Sequence, residues 1–118
     1  MSRCEACDHS RSRPRSSFVR VQLLLDSNHE DAYLERCQTC TGLFGHLWLE
    51  VFDDFWDYWV PVSESEAEHL QQRFRSDKHQ GRVHLESLVR TRRRLVGYPK
   101  SEILIWGDGP TVIGLPAG

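Results

Sequence analysis

The chain has 118 residues, 39% hydrophobic and 27% charged, a balance that fits a globular domain with a modest core. No apolar run approaches the roughly 20 residues that a membrane-crossing helix needs, so no membrane partner is expected. The formal net charge of −2 removes any general electrostatic case for nucleic acid or anionic lipid, although arginines gather at 11–20 and 90–94 and acids at 50–57 and 64–68.

All four cysteines fall in two pairs, Cys4-Glu5-Ala6-Cys7 and Cys37-Gln38-Thr39-Cys40. Two intervening residues let both thiolates of a tight turn reach one ion, and two such turns make the closed S4 shell that Zn²⁺ favours. The predicted ligand set is therefore Cys4, Cys7, Cys37 and Cys40 around a structural Zn²⁺. Two alternatives use the same residues. A disulfide framework needs an oxidising compartment, but no apolar leader follows Met1-Ser2-Arg3, so the expectation is a cytoplasmic chain with reduced thiols. A thioredoxin-type redox pair needs its C-x-x-C at the start of a helix in a β-α-β unit, and neither pair has that setting. His9 and His46 each follow a cysteine pair by a few residues and are reserve ligands. Their ordinary reading is a surface histidine or one that braces a ligand from outside.

Residues 10–17 are polar, carry Arg11, Arg13 and Arg15 and are broken by Pro14, which predicts a loop. It reads as a solvated linker or, functionally, as a phosphate-contacting arm. Residues 18–25 alternate as a first strand, and 33–36 form a second that runs into Cys37. Gly42 is placed to supply the left-handed residue of the second cysteine turn. Leu47, Leu49 and Val51 then alternate with Trp48, Glu50 and Phe52 in a third strand. Asp53-Asp54 marks a turn, and 57–62 is a fourth strand with Pro61 suited to its end or to an edge. Here the period changes. Ser63-Glu64-Ser65-Glu66 is a capping box, and Ala67, Leu70 and Phe74 make a helical stripe. Gly81 interrupts, and a second helix is predicted over 83–96, stopped by Gly97 and Pro99. Residues 103–106 and 111–113 read as a closing hairpin.

The two C-x-x-C turns, with strands leading into and out of the second, resemble a zinc ribbon over residues 4–52. Cys4, Cys7, Cys37 and Cys40 match its four ligand positions. The chain departs from the pattern in a gap wider than the usual roughly 15–20 residues. It also lacks a glycine directly after Cys7, and the glycine after Cys40 is displaced by one. The resemblance implies a metal-stapled sheet and no particular activity. The predicted fold class is α+β, one domain over 1–118: a zinc-tied antiparallel β-sheet, zinc-ribbon-like at 4–52, with two helices at 63–96 and a C-terminal β-hairpin at 102–114.

A four-thiolate shell leaves no open position for water or substrate, and H-E-x-x-H, G-x-S-x-G and P-loop patterns are absent, so the expectation is a non-catalytic protein. Carboxylates at 50–57 have the chemistry for an acid–base pair, but nothing around them marks one out. The same stretch, Glu50 to Trp59, mixes four acids with five aromatics. Aromatics bring contact area at small entropic cost, and acids select and steer a basic partner. The predicted partner-binding residues are Glu50, Asp53, Asp54, Phe55, Trp56, Asp57, Tyr58 and Trp59. By analogy of chemistry, the most specific version is an inhibitor of the kind seen in bacterial immunity proteins, which neutralise basic toxins through acidic, aromatic surfaces. The plain alternative is that the aromatics fill the core. The rival surface is Arg90, Arg93 and Arg94, which share a side of the predicted second helix and would contact nucleic-acid phosphates. Its plain alternative is a solvated face pairing with acids such as Glu86.

Overall fold

The computed structural model describes Cys4, Cys7, residues 12–109 and residues 112–115. Its strands are β1 (Arg13–Pro14), β2 (Phe18–Asp26), β3 (Glu30–Cys37), β4 (Leu43–Val51), β5 (Asp54–Pro61), β6 (Arg94–Gly97) and β7 (Ile103–Gly107). The helices are α1 (Glu64–Ser76) and α2 (Lys78–Thr91), inserted between β5 and β6. The class is α+β, with one seven-stranded sheet in the order β1-β7-β6-β5-β4-β3-β2 and every pair antiparallel.

β1 and β2 stand at opposite ends of that order, yet only the 3-10 turn Arg15–Ser17 separates them in sequence. So short a link forces the sheet to curl until its two ends approach. The curl gives two unlike faces, filled by alternate residues of each strand. On the outer face Ala32, Leu34, Leu47, Tyr58 and Val60 meet Leu70, Phe74, Leu85 and Val89 of the helices in the larger core cluster. Leu70 and Leu85 are fully buried, and each such side chain contributes about 1.5–3 kcal/mol. On the inner face Phe44, Trp59, Leu95 and Leu104 form a second cluster with Cys7 and Cys37.

Local chemistry sets the element ends. The capping box is present in full: the Glu66 amide donates to Ser63 Oγ at 3.1 Å, and the Ser63 amide donates to Glu66 Oε1 at 2.8 Å. Asp77 alone joins the helices. Its amide donates to the Arg73 carbonyl, closing α1, while its Oδ1 accepts from the His79 and Gln80 amides to open α2. Gly81 therefore does not interrupt a helix but lies inside α2, where a Cβ would meet the Phe74 ring at 2.5 Å. The missing side chain is what lets the helices approach.

Three predicted boundaries move. α2 ends at Thr91, and residues 94–96, expected in helix, form β6 together with Gly97, the expected stop, against β5. Leu95 belongs to the inner core by strand alternation rather than to a helical stripe. Residues 103–106 do form a strand, within β7, but its hairpin partner is β6, with Leu95 opposite Trp106, and not residues 111–113. Of that expected second arm, Val112 is buried in the outer core, Ile113 lies in a turn, and Thr111 falls outside the described residues. Phe52 is not in a strand either. Phe52 and Asp53, at φ 50° and 67°, make the two-residue turn between β4 and β5, the doubly left-handed geometry that matches strand twist. No helix among the described residues is long and apolar enough to cross a membrane.

Candidate metal centre and the charges beside it

β3 ends on Cys37 and β4 begins at Leu43, so the second cysteine pair is the turn between two central strands. The Cys37 amide donates to the Gly42 carbonyl and the Thr41 amide to the Cys37 carbonyl, at 3.0 and 2.9 Å. The left-handed residue of this turn is Thr41 (φ 61°), one position before the expected Gly42. Its hydroxyl donates back to the Cys40 carbonyl at 2.6 Å. In the first pair the Cys7 amide donates to the Cys4 carbonyl at 3.0 Å, which turns both sulfurs to one side.

The four thiols are free of disulfides, and their sulfurs lie within 4.8 Å of one another. Sγ separations are 3.5 Å for Cys4–Cys7, 3.8 Å for Cys4–Cys37 and 3.8 Å for Cys7–Cys40. A tetrahedral shell with metal–sulfur bonds of about 2.3 Å has edges of about 3.8 Å. The donor set and its spacing fit a tetrathiolate metal site.

Arg13, expected in a loop, is buried among these sulfurs. Its Nη1 donates to Cys7 Sγ at 2.9 Å and its Nη2 to Cys37 Sγ at 3.0 Å. Burial alone would raise the Cys37 thiol; the Arg13 hydrogen bond, backbone N–H groups of the turn and the arginine charge outweigh it and bring the thiol down to about 6. Burial and the Cys4 hydrogen bond push Cys7 up instead. Metal-free, the cluster thus favours ionising one cysteine first.

Next to it on the inner face is a polar constellation absent from the sequence reading. His46 Nδ1 lies 2.8 Å from Glu35 Oε2 and Nε2 lies 2.6 Å from Asp57 Oδ1, with all three residues buried. A carboxylate at each ring nitrogen requires both to carry hydrogen, so His46 is an imidazolium. Burial works against that charge, but the bonds to Asp57 and Glu35 win and raise its pKa. Trp59 stacks on the ring, with centroids 3.8 Å apart, and donates from Nε1 to Glu35 at 2.8 Å. Arg15 pairs with Asp57 and donates from Nε to the Ser101 carbonyl at 2.6 Å. With both nitrogens engaged, His46 is not a metal ligand. His9 lies outside the described residues. The signal was present in the sequence only as spacing: residues 35, 46 and 57, eleven apart each time, lie diagonally on one face of three consecutive antiparallel strands, where His46 faces Tyr33 and Trp59 directly.

The predicted partner surface divides. Asp57, Tyr58 and Trp59 are 5%, 2% and 3% exposed, so they belong to the interior. Tyr58 donates its hydroxyl to the Ile113 carbonyl, and half-buried Trp56 packs edge-on against Tyr98. Asp53 and Asp54 are exposed, Glu50 is half-buried, and Phe55 is 44% exposed, stacked on Trp48 with centroids 4.7 Å apart. Phe52 is 97% exposed at the hairpin tip. The arginine face is not assembled, because its helix stops at Thr91. Arg90 stays on α2, Arg93 pairs with Asp108, and Arg94 is buried, donating to the Val89 and Gly109 carbonyls. Comparison with protein-family models, curated proteins and solved structures returns no match.

Proposed function

We propose that the chain is a non-catalytic, zinc-stabilised module that docks a basic protein through the acidic, aromatic end of its sheet. Cys4, Cys7, Cys37 and Cys40 would hold the ion. Four thiolates fill a tetrahedral shell, so what zinc supplies there is a cross-link between the start of the chain and the β3–β4 turn. An inhibitory role of the immunity-protein type, directed at a basic toxin, is the specific form of this reading.

The observation that carries the docking surface is Phe52. A bulky side chain held at φ 50° costs about 1–2 kcal/mol, and at 97% exposure no packing within the chain offsets it. A partner's pocket would. Around it stand Asp53 and Asp54, then Glu50 and the stacked Phe55–Trp48 pair, with Asp31 opposite Trp48 in the ladder. The same face already receives one cation: the Arg20 guanidinium lies 3.5 Å from the Tyr33 ring centroid. These features support aromatic anchors ringed by acids, suited to arginine or lysine side chains.

The test is titration with poly-arginine as a basic polypeptide probe, followed by tryptophan fluorescence. Salt-sensitive binding is expected, weakened by Phe52→Ser and abolished when Asp53→Asn and Asp54→Asn are added. Equal binding by the triple variant contradicts the reading. So does strong, salt-sensitive retention of the wild-type chain on heparin or DNA, which would favour the arginine-based nucleic-acid alternative.

A further inference from the structure

Arg13 reaches the cysteine cluster from the far end of the strand order. β1 carries it, paired opposite Leu104 on β7, while Cys37 terminates β3 near the other end. The residue is 6% exposed, and its guanidinium sits 4.7 Å over the Phe18 ring. A cation this deep is costly unless negative charge or strong acceptors face it. The acceptors of its two terminal nitrogens are sulfurs, at 2.9 and 3.0 Å, one from each cysteine pair. Neutral thiols accept weakly, whereas thiolates are strong acceptors and keep further lone pairs for a metal. Four thiolates around one divalent ion carry two negative charges in excess, and a buried site must compensate them. The planar fork of arginine reaches two sulfurs at once, which a lysine ammonium on its single stem cannot reproduce.

We infer that Arg13 is the outer-sphere cation of the metal centre, bridging the Cys7 and Cys37 thiolates from the two cysteine pairs and holding the charged tetrathiolate in its buried site. This rests on the zinc reading above. Arg13 is a positioning residue: it acts through the sulfurs and leaves the ion's own shell to the cysteines. It also explains why Arg13 is buried at the seam of the curled sheet while its neighbours Ser12 and Pro14 stay exposed.

The full chain, Arg13→Met and Arg13→Lys are each titrated with Zn²⁺ against a chromogenic chelator, and with Co²⁺, whose thiolate-to-metal charge-transfer absorption reports sulfur electron donation. The methionine variant is expected to bind about 10–100-fold more weakly, the usual effect of losing an outer-shell partner. Its cobalt band should move to longer wavelength, because sulfurs relieved of N–H···S bonds give up electron density more easily. The lysine variant should recover part of the affinity but keep a shifted band. A packing role alone would lower the melting temperature and leave both the chelator competition and the band unchanged; that result overturns the inference. Should the methionine variant fail to fold, the lysine variant decides: an unshifted band contradicts the bridging role. A wild-type chain that takes up neither ion is a different outcome, one that removes the zinc reading itself.

Discussion

Replacing His46 with glutamine would keep most of the side-chain volume and remove the buried positive charge. Glu35 and Asp57, each 5% exposed, would then face one another's negative charge across a neutral amide that can donate to only one of them. Removing one partner from a buried ion pair costs about 3–5 kcal/mol. Arg15 beside Asp57 and Arg20, 3.6 Å from Glu35, remain and compensate in part, so the lower end, about 3 kcal/mol, applies. Against a total of about 5–15 kcal/mol for a domain of this size the variant should still fold. Urea unfolding followed by tryptophan fluorescence should show an unchanged slope and a midpoint lower by roughly 1–3 M. The pH dependence has a definite sign. His46 has a pKa raised above its unfolded value near 6.5, so its contribution is complete below that pH and disappears as pH rises through the folded value. Wild type and variant should therefore differ most in mildly acidic to neutral solution and converge on the alkaline side. A cost below about 1 kcal/mol, or a difference that widens with rising pH, would refute the imidazolium assignment.

Gly81→Ala should destabilise by about 1–3 kcal/mol, because the clash with the Phe74 ring outweighs alanine's better helix propensity; differential scanning calorimetry reads the loss. Phe52→Gly should do the opposite, raising the melting temperature through relief of about 1 kcal/mol of backbone strain while weakening poly-arginine binding. A lower melting temperature there would mean that the phenylalanine packs within the chain. Glu30 is pushed up to about 7 by burial and then by the neighbouring Glu86, so its contribution falls away as pH rises from about 4.3 through 7. Glu30→Gln should flatten that limb of the stability profile, and an unchanged limb would contradict the assignment.

Signals that depend on neighbours in sequence were legible without the structure. The capping box at Ser63–Glu66, the Ala67, Leu70 and Phe74 stripe, and the two cysteine pairs are each confined to a turn or two of chain, and each is where the spacing put it. Signals that depend on which strands meet were not. Arg94 and Leu95 continue an arginine-rich helical pattern in sequence, but pairing of Leu95 with β5 and of both residues with β7 claims them for a strand. Asp57 looks like surface charge until β3 and β4 bring Glu35 and His46 alongside it. Arg13 looks like linker until the curl of the sheet carries β1 round to the cysteines. Gly81 reads as a breaker because propensity weighs the backbone alone, whereas its packing partner, Phe74, lies on another helix. The docking surface suffered most from this: β5 is covered on both faces, so Tyr58 is buried under the helices while Asp57 and Trp59 are buried on the inner face, and Trp48 stacks on Phe55 instead.

The account rests on the four sulfurs of Cys4, Cys7, Cys37 and Cys40 acting as one metal shell. Elemental analysis of the purified chain, paired with a thermal melt before and after a strong chelator, tests that most directly. About one zinc per chain is expected, together with a clear fall in melting temperature once it is withdrawn, because the ion's binding energy is folding energy. Protein that carries no zinc, or melts at the same temperature with and without chelator, would contradict it.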